Sequence, residues 1–130
     1  MITNVQAVHS TTRITHHPSP ITNIGILVSH LREEEKLILG AAADVGIEAT
    51  VIRERDLVLD LSNPSLPAVD VVLDRCVAHT RGGYVLKILE GWGVRTINSS
   101  TAVAVCDDKA LMSLAFTKAG VPTLRTAIAF

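Results

Sequence analysis

An α/β domain built on a parallel sheet is the fold this sequence predicts, and three observations predict it. Ile24-Gly25-Ile26-Leu27-Val28-Ser29 is an almost purely apolar run, as expected of a strand buried on both faces. After it, short apolar strands alternate with amphipathic helical stretches, the pattern of right-handed crossovers over a parallel sheet. Gly46, Asn63-Pro64, Pro67, Gly91 and Gly93 then punctuate the joins. With 130 residues there is enough chain for one domain with a core, and 48% hydrophobic against 3% aromatic residues makes that core aliphatic.

Residues 1–23 stand apart. They carry no acid, a single Arg13, the histidines His9, His16 and His17, many Ser and Thr, and Pro18 and Pro20. No periodicity survives there, so a disordered leader is expected, explained by a start codon placed upstream of the domain. No apolar core of a secretory signal is present, and one arginine does not make a transit peptide.

From Ile24 the elements follow in order. Glu33, Glu34 and Glu35 open a helix where its dipole favours negative charge, and Leu37, Ile38, Ala41, Ala42 and Val45 form its expected inner face, ended by Gly46. Glu48–Ile52 is a second strand, Arg53–Pro67 a polar connection around Leu57-Val58-Leu59, and Val69–Leu73 a third strand. A second helix spans about Thr80–Glu90, with Tyr84, Val85, Ile88, Leu89 and Trp92 facing inward, and Val94–Ile97 is a short fourth strand. The sum is a Rossmann-like open parallel sheet with helices on both faces, over residues 24–106.

Residues 107–130 begin a second unit. The chain restarts at Asp107-Asp108 into a longer helix that stops at Gly120, with Pro122 just beyond. Lys109, Ser113 and Thr117 make one polar stripe, and Leu111, Met112, Leu114, Ala115 and Phe116 surround it, as in a helix packed between two bodies. Arg125–Phe130 alternates and reads as a strand.

Several function classes are excluded or weakened. The net charge of −1 argues against a nucleic-acid or anionic-membrane footprint. Apolar runs fall short of the ~20 residues that span a bilayer. Cys76 and Cys106 lie far apart in apolar surroundings and read as small buried hydrophobes. The first strand leads into Ser29-His30-Leu31-Arg32, not a glycine-rich turn, and no P-loop, zinc spacing or nucleophile elbow occurs. A cytoplasmic protein is expected.

Ligands of open parallel sheets gather at the carboxyl ends of the strands. Four loops qualify there, Ser29-His30-Leu31-Arg32, Arg53-Glu54-Arg55-Asp56, Asp74-Arg75-Cys76-Val77-Ala78-His79-Thr80-Arg81-Gly82-Gly83 and Asn98-Ser99-Ser100, and the third is the richest. Its arginine forks suit carboxylates or phosphates, and Thr80 with Gly82-Gly83 would leave amides free at a helix start. Equally, Arg75 would pair with Asp74 or a loop carbonyl while Thr80 caps the helix, and His79 would be an ordinary polar loop residue. Lys109 faces the positive end of a helix dipole, a cost of about 0.3–1 kcal/mol that an anion such as a nucleotide phosphate would offset. The alternative is a solvated lysine balanced by Asp107 and Asp108.

The stretch Asp74–Gly82, then Gly91-Trp92-Gly93-Val94, Ile97-Asn98, and Cys106-Asp107-Asp108-Lys109 through Ala119-Gly120-Val121-Pro122, resembles the N-terminal part of RimK-like ATP-grasp ligases. The similarity is greatest to the lysine-biosynthesis (LysX-like) branch, which joins α-aminoadipate to the C-terminal glutamate of a small acidic carrier protein. The resemblance implies a pre-ATP-grasp domain, ATP and magnesium as cofactors of the full-length enzyme, activation of a carboxylate as an acylphosphate, and attack by an amine. It implies that Lys109 contacts ATP phosphate and that Arg75, His79, Thr80, Arg81 and Asn98 face the carrier or the amino-acid substrate. Where the family has Gly-Asp-Lys this chain has Asp107-Asp108-Lys109. The magnesium ligands and the strands that sandwich adenine would lie beyond Phe130, so no catalytic or metal-binding residue is expected here, and the chain alone is expected to be inactive and to self-associate. A glutamate ligase acting on a protein or cofactor tail, and a stand-alone flavodoxin-like binding domain, are the competing expectations.

Overall fold

The computed structural model describes residues 20–130. Most of the leader expected at residues 1–23 lies outside the described residues. Its end does not, and there the boundary is corrected: strand β1 (Asn23–Val28) already includes Asn23. Asp70 Oδ2 accepts the backbone N–H groups of Thr22 and Asn23 at 2.8 and 2.9 Å, and Thr22 O accepts Glu48 N–H at 2.9 Å.

β1 is central. It pairs in parallel with β2 (Glu48–Arg53) on one side and β3 (Val71–Arg75) on the other, and β4 (Thr96–Ile97) lies outside β3, giving the order β2-β1-β3-β4. Ile26 stands opposite Val51 and Leu73. The chain moves one way from β1 to β2 and the other way from β2 to β3 and β4. Right-handed crossovers therefore place α1 (Glu33–Asp44) on one face, and residues 57–69 with α2 (His79–Gly91) on the other. The expected α/β sheet with helices on both faces is what forms.

On the second face Leu27, Ile52 and Val72 meet Val85, Leu86 and Leu89 of α2, with Leu57, Leu59, Leu66 and Val69 packed around them. Both helices are rotated from their expected phase. In α1 the residues that turn inward are Glu35 and Ala42, with Ile38 and Leu39 half-buried, while Leu37 and Val45 are 74% and 70% exposed. Three consecutive apolar residues, 37–39, fit more than one phase, and the ion pairs of Glu35 decide between them. In α2, Tyr84 is exposed, with Lys87 Nζ 5.7 Å from its ring centre. The first turn of α2 lies tight on the β3 loop. A Cβ at Gly82 would stand 2.8 Å from Cys76 Cβ, so only glycine fits.

Glu90, in α2, holds β4 and the next helix together: its Oε1 accepts Thr96 Oγ1–H and Ser100 N–H, both at 2.7 Å. Helix α3 (Ser100–Asp107) and helix α4 (Lys109–Lys118) form with the expected break between them. Asp108 Oδ1 caps α4 by accepting Ala110 and Leu111 N–H at 2.8 and 3.0 Å. Gly120, at φ +67°, takes the left-handed turn that ends it. No residue of α4 is fully buried. The strand expected over residues 125–130 does not form, because alternation alone does not make a ladder and no described strand lies alongside to supply its hydrogen bonds. No described helix is long and apolar enough to cross a membrane.

Candidate functional site

The chain leaves β1 and β3 for opposite faces of the sheet, so the crevice between their carboxyl ends is the switch point where such sheets bind ligands. Ser29, buried at the end of β1, ties the two loops together. Its Oγ accepts Val77 and Ala78 N–H at 3.1 and 3.2 Å.

On the α1 side of this crevice lies a buried carboxylate gripped by two arginines. Glu35 has no solvent exposure. Its Oε1 accepts Arg32 Nη2–H at 2.7 Å and Arg75 Nε–H at 3.0 Å. Its Oε2 accepts Arg32 Nε–H and Arg32 backbone N–H, both at 3.0 Å, the second bond being half of a capping box. The Arg32 guanidinium, outweighing the cost of burial, holds the Glu35 carboxyl down at about 2. Arg75 thus pairs with Glu35 and not with Asp74, whose Oδ1 instead accepts Cys76 N–H at 3.0 Å.

On the α2 side sits a second acid, Glu54, in the short 3-10 turn after β2. Its side chain is 1% exposed, and Arg81 Nη2 lies 3.2 Å from its Oε1. That contact is an ion pair without hydrogen-bond alignment, and neither oxygen of Glu54 has a hydrogen-bond partner among the described residues. Burial, Asp74 and Glu54 together push the Cys76 thiol up to about 12, which removes it as a nucleophile and fits a small apolar role. Cys106, expected to be buried, is exposed on α3.

His79, Thr80 and Asp107 meet in a groove of about 380 Å³ between α2 and α3, with His79 Nδ1 2.9 Å from Asp107 Oδ1. Thr80 does not cap α2, whose N-cap is Ala78 with no side-chain bond, and Gly82 N–H is used within the helix on Ala78 O at 2.9 Å. Asn98 is exposed past β4. Lys109 is exposed in the first turn of α4 and forms no ion pair among the described residues. Of the sequence-predicted residues, the structure brings His79 and Thr80 to one groove, turns Arg75 and Arg81 to separate buried acids on opposite sides of the sheet, and places Asn98 and Lys109 in neither of these sites. Arg32 and Glu54 lie in two of the four strand-end loops that the sequence offers but carry no assigned role there, and Glu35 escaped sequence reasoning. Glu35 read as one of three dipole-favoured acids, and Glu54 as part of a polar connection. Among the described residues no cluster of three or more His, Cys, Asp or Glu could hold a metal ion.

The family model described as the LysX preATP-grasp domain matches residues 24–105. A glutamate–LysW ligase, ArgX, of Sulfolobus acidocaldarius is 33% identical over 76% of this chain and 35% of its own length. An α-aminoadipate–LysW ligase, LysX, of Sulfurisphaera tokodaii is 29% identical over 82% of this chain and 39% of its own. Among solved structures, an ATP-grasp RimK domain protein from Sphaerobacter thermophilus superposes with a TM-score of 0.68 at 25% identity, over 77% of this chain and 38% of that one. The chain therefore spans little more than a third of the length of these relatives.

Proposed function

The chain belongs to the LysX preATP-grasp domain family, and from that premise we propose that it is the pre-ATP-grasp domain of an ATP-dependent ligase. The ligase joins an acidic amino acid, through its amine, to a carboxylate of a small carrier protein. The observation that carries this reading is Arg75. It stands at the carboxyl end of β3, bound to the protein through Nε, and its two Nη groups have no protein partner among the described residues. A planar fork left open at a switch point suits a carboxylate.

Both glutamate and α-aminoadipate fit. Relatives named as glutamate ligases are 33% and 35% identical, and those named as α-aminoadipate ligases 27–29%, so the expectation of α-aminoadipate is widened to include glutamate. The two substrates differ by one methylene, which a pocket distinguishes by about 1–3 kcal/mol.

Lys109 suits a phosphate of ATP, because its ammonium is exposed and unpaired among the described residues at the start of α4. ATP, when bound, supplies the activation of the carboxylate. The residues of this chain bind and orient: Arg75 holds a carboxylate, and Ser29 fixes the two loops that border it.

Grafting residues 24–130 in place of the matching segment of the Sulfolobus acidocaldarius ligase tests the proposal. A chimera that adds glutamate or α-aminoadipate to its carrier in an ATP-dependent reaction, read as a mass gain, is the expected result. A folded chimera that binds the carrier without a mass gain contradicts it and favours a binding module without chemistry.

A further inference from the structure

The pairing around Glu35 contains more positive charge than the pairing needs. Arg32 alone, with Nη2–H on Oε1 at 2.7 Å and Nε–H on Oε2 at 3.0 Å, neutralises the carboxylate in the two-pronged geometry that makes such pairs strong. Arg75 adds a second guanidinium from a different strand, 3.0 Å away through Nε. Together with the Arg32 backbone N–H, the four donors occupy the four acceptor positions of the carboxylate. Glu35 can accept nothing further. The cluster holds one unit of surplus positive charge, and the nearest additional acid, Glu34, approaches Arg32 Nε only to 4.0 Å and is mostly exposed.

The surplus faces outward. Glu35 has 0% exposure, whereas the side chains of Arg32 and Arg75 are 35% and 36% exposed. Arg32 belongs to the loop after β1 and Arg75 to the end of β3, the two strands that flank the switch point. An arginine left to itself loses rotamer freedom when it is ordered. Here the buried carboxylate holds Arg32 by two bonds and anchors Arg75 by one before any ligand arrives, which is how preorganisation raises affinity.

We infer that Glu35 is a positioning residue that holds Arg32 and Arg75 as a two-arginine receptor for the carboxylate of an acidic amino acid or of a chain ending in one. This deepens the reading of Arg75 given above and rests on it. It adds a second guanidinium and the group that orients both.

The test is a titration of the ¹⁵N-labelled protein, following the arginine Nε–H signals and the amides of residues 29–35 and 74–78. Glutamate, α-aminoadipate and a short peptide ending in glutamate are the probes, with glutamine and inorganic phosphate as controls. The acidic probes are expected to move both Nε–H signals, and the tighter of amino acid and peptide identifies the source of the carboxylate. Arg75→Gln and Arg32→Gln each weaken that probe about tenfold. Glu35→Gln, which keeps the shape, weakens it and broadens both Nε–H signals, a change that a purely structural glutamate would not produce. Affinity unchanged in all three variants, a loss of stability in Glu35→Gln without loss of affinity, or phosphate binding as well as the acids would each overturn the inference. Those outcomes leave the ligase reading intact. An inactive chimera with the titration as expected removes the ligase reading and leaves this receptor standing.

Discussion

A buried glutamate is stable where its charge is matched and its lone pairs are occupied, and Glu35 meets both conditions. Its carboxyl is held from 4.5 down to about 2, so the folded state binds the proton less readily than the unfolded chain. The stabilisation is complete above the unfolded value and is lost as pH falls from about 4.5 toward 2. Urea midpoints measured across that window should fall with pH, and Glu35→Gln should flatten the fall. Asp70 and Glu90, lowered by hydrogen bonds from Thr22 and Asn23 and from Ser100 and Thr96, keep part of the slope in the variant. Glu54 makes a contrasting case, since only Arg81 offsets its charge. Arg81→Ala should cost about 1–3 kcal/mol by stranding a buried carboxylate, although Arg81 itself is mostly exposed. Adding Glu54→Met should recover most of that loss, and a double variant no better than the single would show that Glu54 is not the reason. Neither acid was legible in the sequence, because a charge in a turn or a first helical turn looks solvated until its burial is known.

Elements were more legible than their faces. Strands and helices follow the apolar alternation and the Gly and Pro signals, and the break at Asp108 and the stop at Gly120 lie where the sequence puts them. What periodicity did not give was rotation. Leu37 was expected inside and is exposed, because the phase of α1 is set by Glu35, an acid that no hydrophobic pattern counts. The fourth strand shortens to Thr96–Ile97, and residues 125–130 form none, since pairing partners are a tertiary matter. Two substitutions probe this scale. Asp108→Ala removes two bonds to the start of α4 and should lower stability by about 1 kcal/mol, with hydrogen exchange rising first in residues 110–112. Gly82→Ala should cost about 1–3 kcal/mol because Cys76 Cβ occupies the space. A neutral Gly82→Ala would mean that the first turn of α2 can move away from the β3 loop.

Across the whole molecule, the packed half and the open half differ. The sheet with α1 and α2 has a buried core, while α4 and residues 120–128 enclose an apolar groove of about 810 Å³. Leu111, Leu114, Leu124 and Ile128 are exposed in its lining, and Phe116 and Phe130 are exposed outside it. Exposed apolar surface of this kind drives association. Sedimentation should show weight rising with concentration, and Phe116→Ser combined with Phe130→Ser should reduce it. A strictly monomeric protein with slow exchange across residues 110–118 would contradict that expectation. The proposed carboxylate receptor lies at the switch point between β1 and β3. Steady-state kinetics of the ligase chimera carrying Arg75→Gln tests it most directly. The expected result is a KM for the acidic amino acid or the carrier raised about tenfold, with the KM for ATP unchanged. A variant that leaves both of those substrate constants at the parent value, or that raises only the KM for ATP, would contradict it.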